Sequence, residues 1–142
     1  MTNPDWDEPH RLKELADKQF EQVPEQPGTY RVYQEERPVP RAFDTDGSGT
    51  LSIGESINLR QRLRRFWLCA QGKHQRGHAA GWKYRDFCFE CRFPLKELHV
   101  QWVTASSKTT ARNRESDEMR EYLKQFGELP PLNYQFTKRY TR

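Results

Sequence analysis

Between Asp44 and Leu63 the chain reads DTDGSGTLSIGESINLRQRL, a stretch compatible with two local structures that exclude each other. Taken alone, Asp44 to Glu55 has the pattern of a calcium loop, with oxygen side chains at Asp44, Asp46 and Ser48, a turn glycine at Gly49, apolar Leu51 and a closing Glu55. Taken with its neighbours, it is a turn, a strand ending at Ile53-Gly54, and the start of an arginine-rich helix. The calcium reading needs a helix on both sides, and Pro38 and Pro40 forbid a regular entering helix so close to Asp44. Calcium loops of this kind usually occur in pairs, and the sequence has no second one. Asp, Gly, Ser and Thr are also the residues that any tight hairpin loop selects. The strand reading is therefore preferred, with a calcium-binding protein acting through residues 44–55 as the lesser alternative.

That choice predicts an α/β (α+β) fold: one small domain with a central mixed or antiparallel sheet of three or more strands, flanked by helices. Thr29 to Tyr33 is a first strand, with Tyr30 and Val32 on one face and Arg31 and Tyr33 on the other. It pairs across a long hairpin with Thr50 to Ile53. Ser56 is placed as the cap of a helix carrying Ile57, Leu59, Leu63, Phe66 and Trp67. Further extended runs are predicted over Tyr84 to Phe89 and Leu98 to Val103, separated from that helix by a glycine-rich loop holding Lys73, His74 and His78. Before the first strand, Asp7 to Phe20 reads as a peripheral helix capped by Asp7.

The core this fold needs is available. Hydrophobic residues make up only 34% of 142 residues, but four Trp, six Tyr and eight Phe each bury large areas. Nothing near Met1 resembles a signal peptide, no run approaches the length of a membrane span, and the three cysteines are too few for a disulfide framework, so a cytoplasmic protein is expected. Cys88 and Cys91 have a CxxC interval, with Cys69, His74 and His78 upstream, but one pair on a predicted strand would point to opposite faces and is weak as a zinc site. The net charge of +4 matters less than its distribution. Arg60, Arg64, Arg65, Lys73 and Arg76 crowd the middle of the chain, with Phe66, Trp67, Trp82 and Tyr84 interleaved, a pattern that suits a nucleic acid as well as an ordinary solvated surface.

A last helix is predicted from Thr109 or Thr110 to Phe126, stopped by Gly127. Ala111, Met119, Tyr122, Leu123 and Phe126 form its apolar stripe, and Glu115 falls near the middle of that stripe, with Glu118 at the edge. A carboxylate there calls for a cation, either a metal or a partner such as Arg112.

These pieces together resemble the GIY-YIG nuclease family over roughly Pro24 to Asn133. Gly28-Thr29-Tyr30 stands where the family has Gly-Ile-Tyr, and Ser52-Ile53-Gly54 where it has Tyr-Ile-Gly, so Ser52 replaces the second tyrosine. The run from Gly54 to Leu63 resembles the strand-to-helix signature whose arginine, here Arg62, faces the active site. Ala111 to Glu115, followed by Met119 and Tyr122, resembles the helix with the metal-binding glutamate, and Pro130-Pro131-Leu132-Asn133 resembles the closing motif. Phe66, one turn beyond Arg62, sits where some members have histidine and others an aromatic residue.

The resemblance implies a metal-dependent endonuclease that hydrolyses phosphodiester bonds of DNA with one divalent ion, Mg²⁺ or Mn²⁺. Glu115 would hold the ion, Arg62 would stabilise charge on the phosphate, and Tyr30 would orient or deprotonate the attacking water once its pKa of about 10 is lowered by Arg62 or the metal. Asn133 would hold the geometry or contact the scissile strand. Ser52 and His74 complete the predicted catalytic set, with Lys73 and His78 as alternatives to His74. The alternative is a catalytically impaired nucleic-acid-binding module of the same fold. Residues 1–23 are then an N-terminal extension, 24–136 the catalytic domain and 137–142 a basic tail. One active site cuts one strand at a time, and no self-association motif fixes an oligomeric state.

Overall fold

The three runs with the clearest strand periodicity form three of the four strands of one sheet in the computed structural model, which describes residues 6–73 and 78–133. In chain order the elements are β1 (His10–Arg11), α1 (Leu12–Asp17), β2 (Gly28–Tyr33), β3 (Val39–Pro40), β4 (Thr45–Asp46), β5 (Thr50–Ser56), α2 (Leu59–Ala70), α3 (Ala79–Asp86), β6 (His99–Thr104) and α4 (Lys108–Phe126). Short 3₁₀ turns lie at Phe89–Cys91, Leu95–Glu97 and Pro131–Asn133. The main sheet has the order β1-β6-β2-β5, with every pairing antiparallel. Val39 and Pro40 pair with Asp46 and Thr45 in a separate ribbon inside the long hairpin.

Register places Tyr30 opposite Gly54 on one side and Trp102 on the other, so these three residues share a face. That face packs on the large core of Leu12, Leu15, Val23, Leu59, Leu63, Phe66 and Leu98, all at most 1% exposed. Thr29 points the opposite way and donates from Oγ1 to the Ala111 carbonyl of α4 at 2.9 Å. Helix α4 packs across β5 and β2 on that second face, with Ile53, Tyr122 and Phe126 as its own small apolar cluster. Strand β5 is the free edge of the sheet and lies between the two helical layers.

The two signature glycines follow from this packing. A Cβ at Gly54 would collide with the hydroxyl and ring of Tyr30, and one at Gly28 would collide with Leu59 and the Val103 carbonyl. No side chain fits at either place, so each is fixed by close approach.

Several local expectations change. The N-terminal helix begins at Leu12, since His10 and Arg11 pair with Val100 and His99 as an edge strand and the His10 ring stacks on Trp102 at 4.8 Å. It is also not peripheral, because Leu12 and Leu15 are fully buried. Asn58, not Ser56, caps α2 by accepting from the Gln61 N–H, while Ser56 forms a turn with Asn58 and leaves Ile57 61% exposed outside the helix. Tyr84 to Phe89 is no strand: Tyr84 to Asp86 end α3, and Phe89 opens a 3₁₀ turn. Helix α3 packs on α2 with Gly81 close to Cys69 and the Phe66 carbonyl, and this tertiary contact decides the conformation. On α4, capped by Ser107 and ended by Gly127 at φ +75°, Leu123 is 46% exposed and Glu118, not Glu115, is the deeply buried carboxylate. Glu118 pairs with Arg114 at 3.6 Å.

The calcium alternative loses its ligands. The Asp46 carboxylate is buried and accepts from the Ser48 N–H and hydroxyl, the Thr50 N–H and the Tyr122 hydroxyl. Glu55 lies at the far end of β5 instead of closing the loop. Cys88 and Cys91 are exposed on a 3₁₀ turn, Cys69 is buried in α2, and among the described residues no three His, Cys, Asp or Glu side chains are grouped to hold a metal. Among the same residues no helix is long and apolar enough to cross a membrane.

Candidate active site

Along the free edge of β5, between α2 and α3 on one side and α4 on the other, lies a cleft of about 590 Å³. Tyr30, Ser52, Arg62, Glu115 and Asn133 all line it, although they come from five separate elements. A second cavity of about 340 Å³ on the α4 face, built around Arg31, Asp46 and Tyr122, contains none of these five. Of the other predicted residues, His74 and Arg76 lie outside the described residues.

Tyr30 is 1% exposed, and its oxygen lies 2.8 Å from Nε2 of His78. Burial pushes its hydroxyl up to about 12; the Arg62 guanidinium, close enough to hydrogen-bond it, pulls the other way, and Glu115 and Glu55 add to the rise. Arg62 acts in the expected direction, but alone it does not bring this hydroxyl below its ordinary value. Desolvation of an ionised phenol outweighs one nearby cation.

Among the described residues His78, the alternative to His74 in the loop sequence, is the imidazole at the site. It is 3% exposed, precedes α3 as its cap, and stands edge-on to Phe66 with ring centroids 5.2 Å apart. Its pKa falls well below the usual histidine value, through burial first and then through Arg62 and Arg65. The sequence offered only an indirect signal for it, because its position depends on α3, which reads as loop and strand. Phe66 in turn supplies the apolar wall against which a histidine from α3 can rest.

Asn133 uses its carboxamide as a clamp. Its Oδ1 accepts from the Ile53 N–H and its Nδ2 donates to the Ile53 carbonyl, both at 2.8 Å. These are backbone groups on the open side of an edge strand, so the asparagine pairs a stretch of β5 as another strand would. Ser52 is buried on the Tyr30 face of β5.

The cleft also brings in residues that motif reading did not select. Glu55 and Arg112 line it, and the Glu55 Oε2 atom is buried with no hydrogen-bond partner. Among the described residues, Glu115 and Glu55 offer the cleft hard oxygen donors with no thiol or clustered imidazole, a set that fits Mg²⁺ or Mn²⁺ bound through one or two carboxylates and several waters, and does not fit a structural zinc.

The basic residues divide. Arg60 is turned away, donating to the Val23 and Glu21 carbonyls and to Glu25 at 2.9 Å, so its place in a nucleic-acid surface is withdrawn. Arg64, Arg65 and Lys73 are exposed. Arg65 lines a groove with Lys108 and Ile57 that joins the cleft at Glu55 and Arg62.

The chain superposes on the N-terminal GIY-YIG endonuclease domain of UvrC from Thermotoga maritima, bound in that crystal structure to its catalytic magnesium, with a TM-score of 0.50 and 16% identity over 86% of this chain and 98% of that one. The chain has a GIY-YIG fold. A point mutant of the same domain matches with a TM-score of 0.49 and 15% identity over 87% of this chain and 98% of that one. No protein-family model matches the sequence, and no curated protein matches it. The GIY-YIG fold thus rests on architecture: an antiparallel sheet with helices on both faces and the cleft at the edge of β5.

Proposed function

We propose that this GIY-YIG-fold chain is a divalent-metal-dependent endonuclease that hydrolyses phosphodiester bonds in DNA. The observation that carries the reading is the convergence of Tyr30, Arg62 and Glu115, 85 positions apart from first to last, on one cleft whose edge strand is clamped by Asn133. A buried phenol, a guanidinium and a carboxylate lining one cleft suit attack of water on a phosphate diester.

In this reading the water loses its proton as its oxygen bonds to phosphorus, and one ester oxygen leaves with the electron pair of its P–O bond. Tyr30 holds that water and, as phenolate, takes its proton. Arg62 presents planar N–H donors to the equatorial oxygens where charge accumulates. Glu115, with Glu55 in the same cleft, would hold the divalent ion. A bound ion there supplies Lewis-acid stabilisation of the phosphate charge and lowers the pKa of nearby groups. Arg64, Arg65, Lys73 and Lys108 carry the flanking DNA backbone, and the reducing interior of a cell is the setting that three cysteines suit.

Supercoiled plasmid incubated with the protein and Mg²⁺ tests the reading. Nicking is expected from the wild type and a loss of at least about 100-fold from both Glu115→Ala and Arg62→Ala. Equal nicking by all three, or none by any, defeats it. Retained DNA binding in the second case favours the impaired binding module, to which Ser52 and the high Tyr30 pKa are the features that point.

A further inference from the structure

His78 has a second hydrogen bond that fixes what its ring can do. The backbone N–H of Gly81 donates to His78 Nδ1 at 3.3 Å. A backbone N–H can only donate, so Nδ1 holds a lone pair and no hydrogen. A neutral imidazole carries a single N–H, which then sits on Nε2, and Nε2 is the atom 2.8 Å from the Tyr30 oxygen. The cationic form would set an Nδ1–H against the Gly81 N–H, in a site 97% buried and faced by Arg62 and Arg65 from α2. The ring cannot turn easily either, with Phe66 edge-on and the His78 backbone hydrogen-bonded to the Cys69 thiol.

From this geometry we infer that His78 is a fixed hydrogen-bond donor to the Tyr30 oxygen, locked in its Nε2–H form by the cap of α3, and that it does not accept the Tyr30 proton. It is a positioning residue. Neither nitrogen is open to a proton, since Nε2 already carries one and Nδ1 is sealed by Gly81. With His78 and Arg62 both donating to its oxygen, Tyr30 is left to aim its own hydrogen into the cleft. Ionisation of Tyr30 then exchanges protons with the cleft alone, and the phenolate that results keeps both donors. One side chain, His78, both caps α3 and holds the oxygen of Tyr30, so folding of α3 orients the general base.

The catalytic meaning of this inference rests on the nuclease reading, and the ring's tautomer does not, so the two can fail separately. Substitution separates the two nitrogens chemically: a glutamine amide N–H reaches where Nε2 stands, and an asparagine oxygen reaches where Nδ1 stands. His78→Gln is expected to nick plasmid within about tenfold of wild type, and His78→Asn to lose about 100-fold while melting at the higher temperature of the two. The opposite order, or equal loss in both, overturns the donor role and leaves a cap or a proton carrier. Independently, ¹⁵N resonances of the His78 ring, recorded without metal or DNA, should show Nε2 protonated and Nδ1 bare, unchanged from about pH 5.5 to 8. An Nδ1–H form, or titration within that interval, overturns the inference even if no variant cuts DNA.

Discussion

At the scale of single residues, Tyr30 sets the chemistry because its hydroxyl is held near 12 while the same group in an unfolded chain titrates near 10. Below about pH 10 both states keep the proton and the stabilisation is intact; between about 10 and 12 only the unfolded state releases it, and stability is lost as pH rises through the folded value. Two pH units correspond to about 2.7 kcal/mol. Urea unfolding at pH 9 and 11 should show about half of that loss, about 1.4 kcal/mol, in the wild type and a smaller one in Tyr30→Phe, where this hydroxyl is gone. The same protonation governs rate. If Tyr30 is the base, plasmid nicking at saturating Mg²⁺ rises about tenfold per pH unit from pH 7 to 9, and a flat profile would restrict Tyr30 to orienting the water. Tyr30, Arg62, Glu115 and Asn133 were legible because each sits in a short motif whose spacing the fold preserves. His78 is legible only as an alternative to His74, because nothing in His-Ala-Ala-Gly announces a cap until the helix after it is known.

At the scale of elements, the strongly periodic segments are those the sequence foretells: β2, β6 and α4 stand within one or two residues of expectation, and β5 starts where expected and runs three residues past Ile53. The failures have a common cause in tertiary contact. Two residues, His10 and Arg11, take strand geometry because β6 offers them an open edge, against the helical pattern of their neighbours. Helix α3 exists because Gly81 lets it approach α2, a reason invisible in a residue that usually weakens helices. Glu115 stood out by periodicity, yet Glu118 is the one buried, since α4 rides over the edge of β5 and turns its Glu115 flank to the cleft. The Asn133 clamp gives an element-level prediction. Asn133→Ala strips the Ile53 N–H and carbonyl of their partners, should cost about 1–3 kcal/mol in unfolding free energy, and should speed hydrogen exchange at the Ile53 amide more than at Tyr30. Leu12→Ala should cost about 2–5 kcal/mol by the same measurement, a value incompatible with a peripheral helix.

At the scale of the molecule, charge is distributed by purpose more than by count. Arg60 serves the turn at Glu21 to Glu25, while Arg65 and Lys108 border a groove continuous with the cleft. For DNA binding measured over a range of salt, Arg65→Ala and Lys108→Ala should each reduce the slope of log affinity against log salt by about 1, and Arg60→Ala should leave it unchanged. A slope reduced only by Arg60→Ala would relocate the DNA path.

The Thr29 to Ala111 hydrogen bond carries a further consequence for how such a site can change over time. Thr29 is the neighbour of Tyr30, and Ala111 is one helical turn before Glu115, so a single bond through the sheet gauges the separation of base and carboxylate. The connections at residues 34–49 and 105–107 hold neither group, and the first meets α4 farther along, where Asp46 accepts from Tyr122 and Phe43 donates to the Phe126 carbonyl. Loops can lengthen, shorten or acquire new specificity while the interval between the two reacting groups is inherited unchanged, and drift at position 29 would put the whole centre out of gauge.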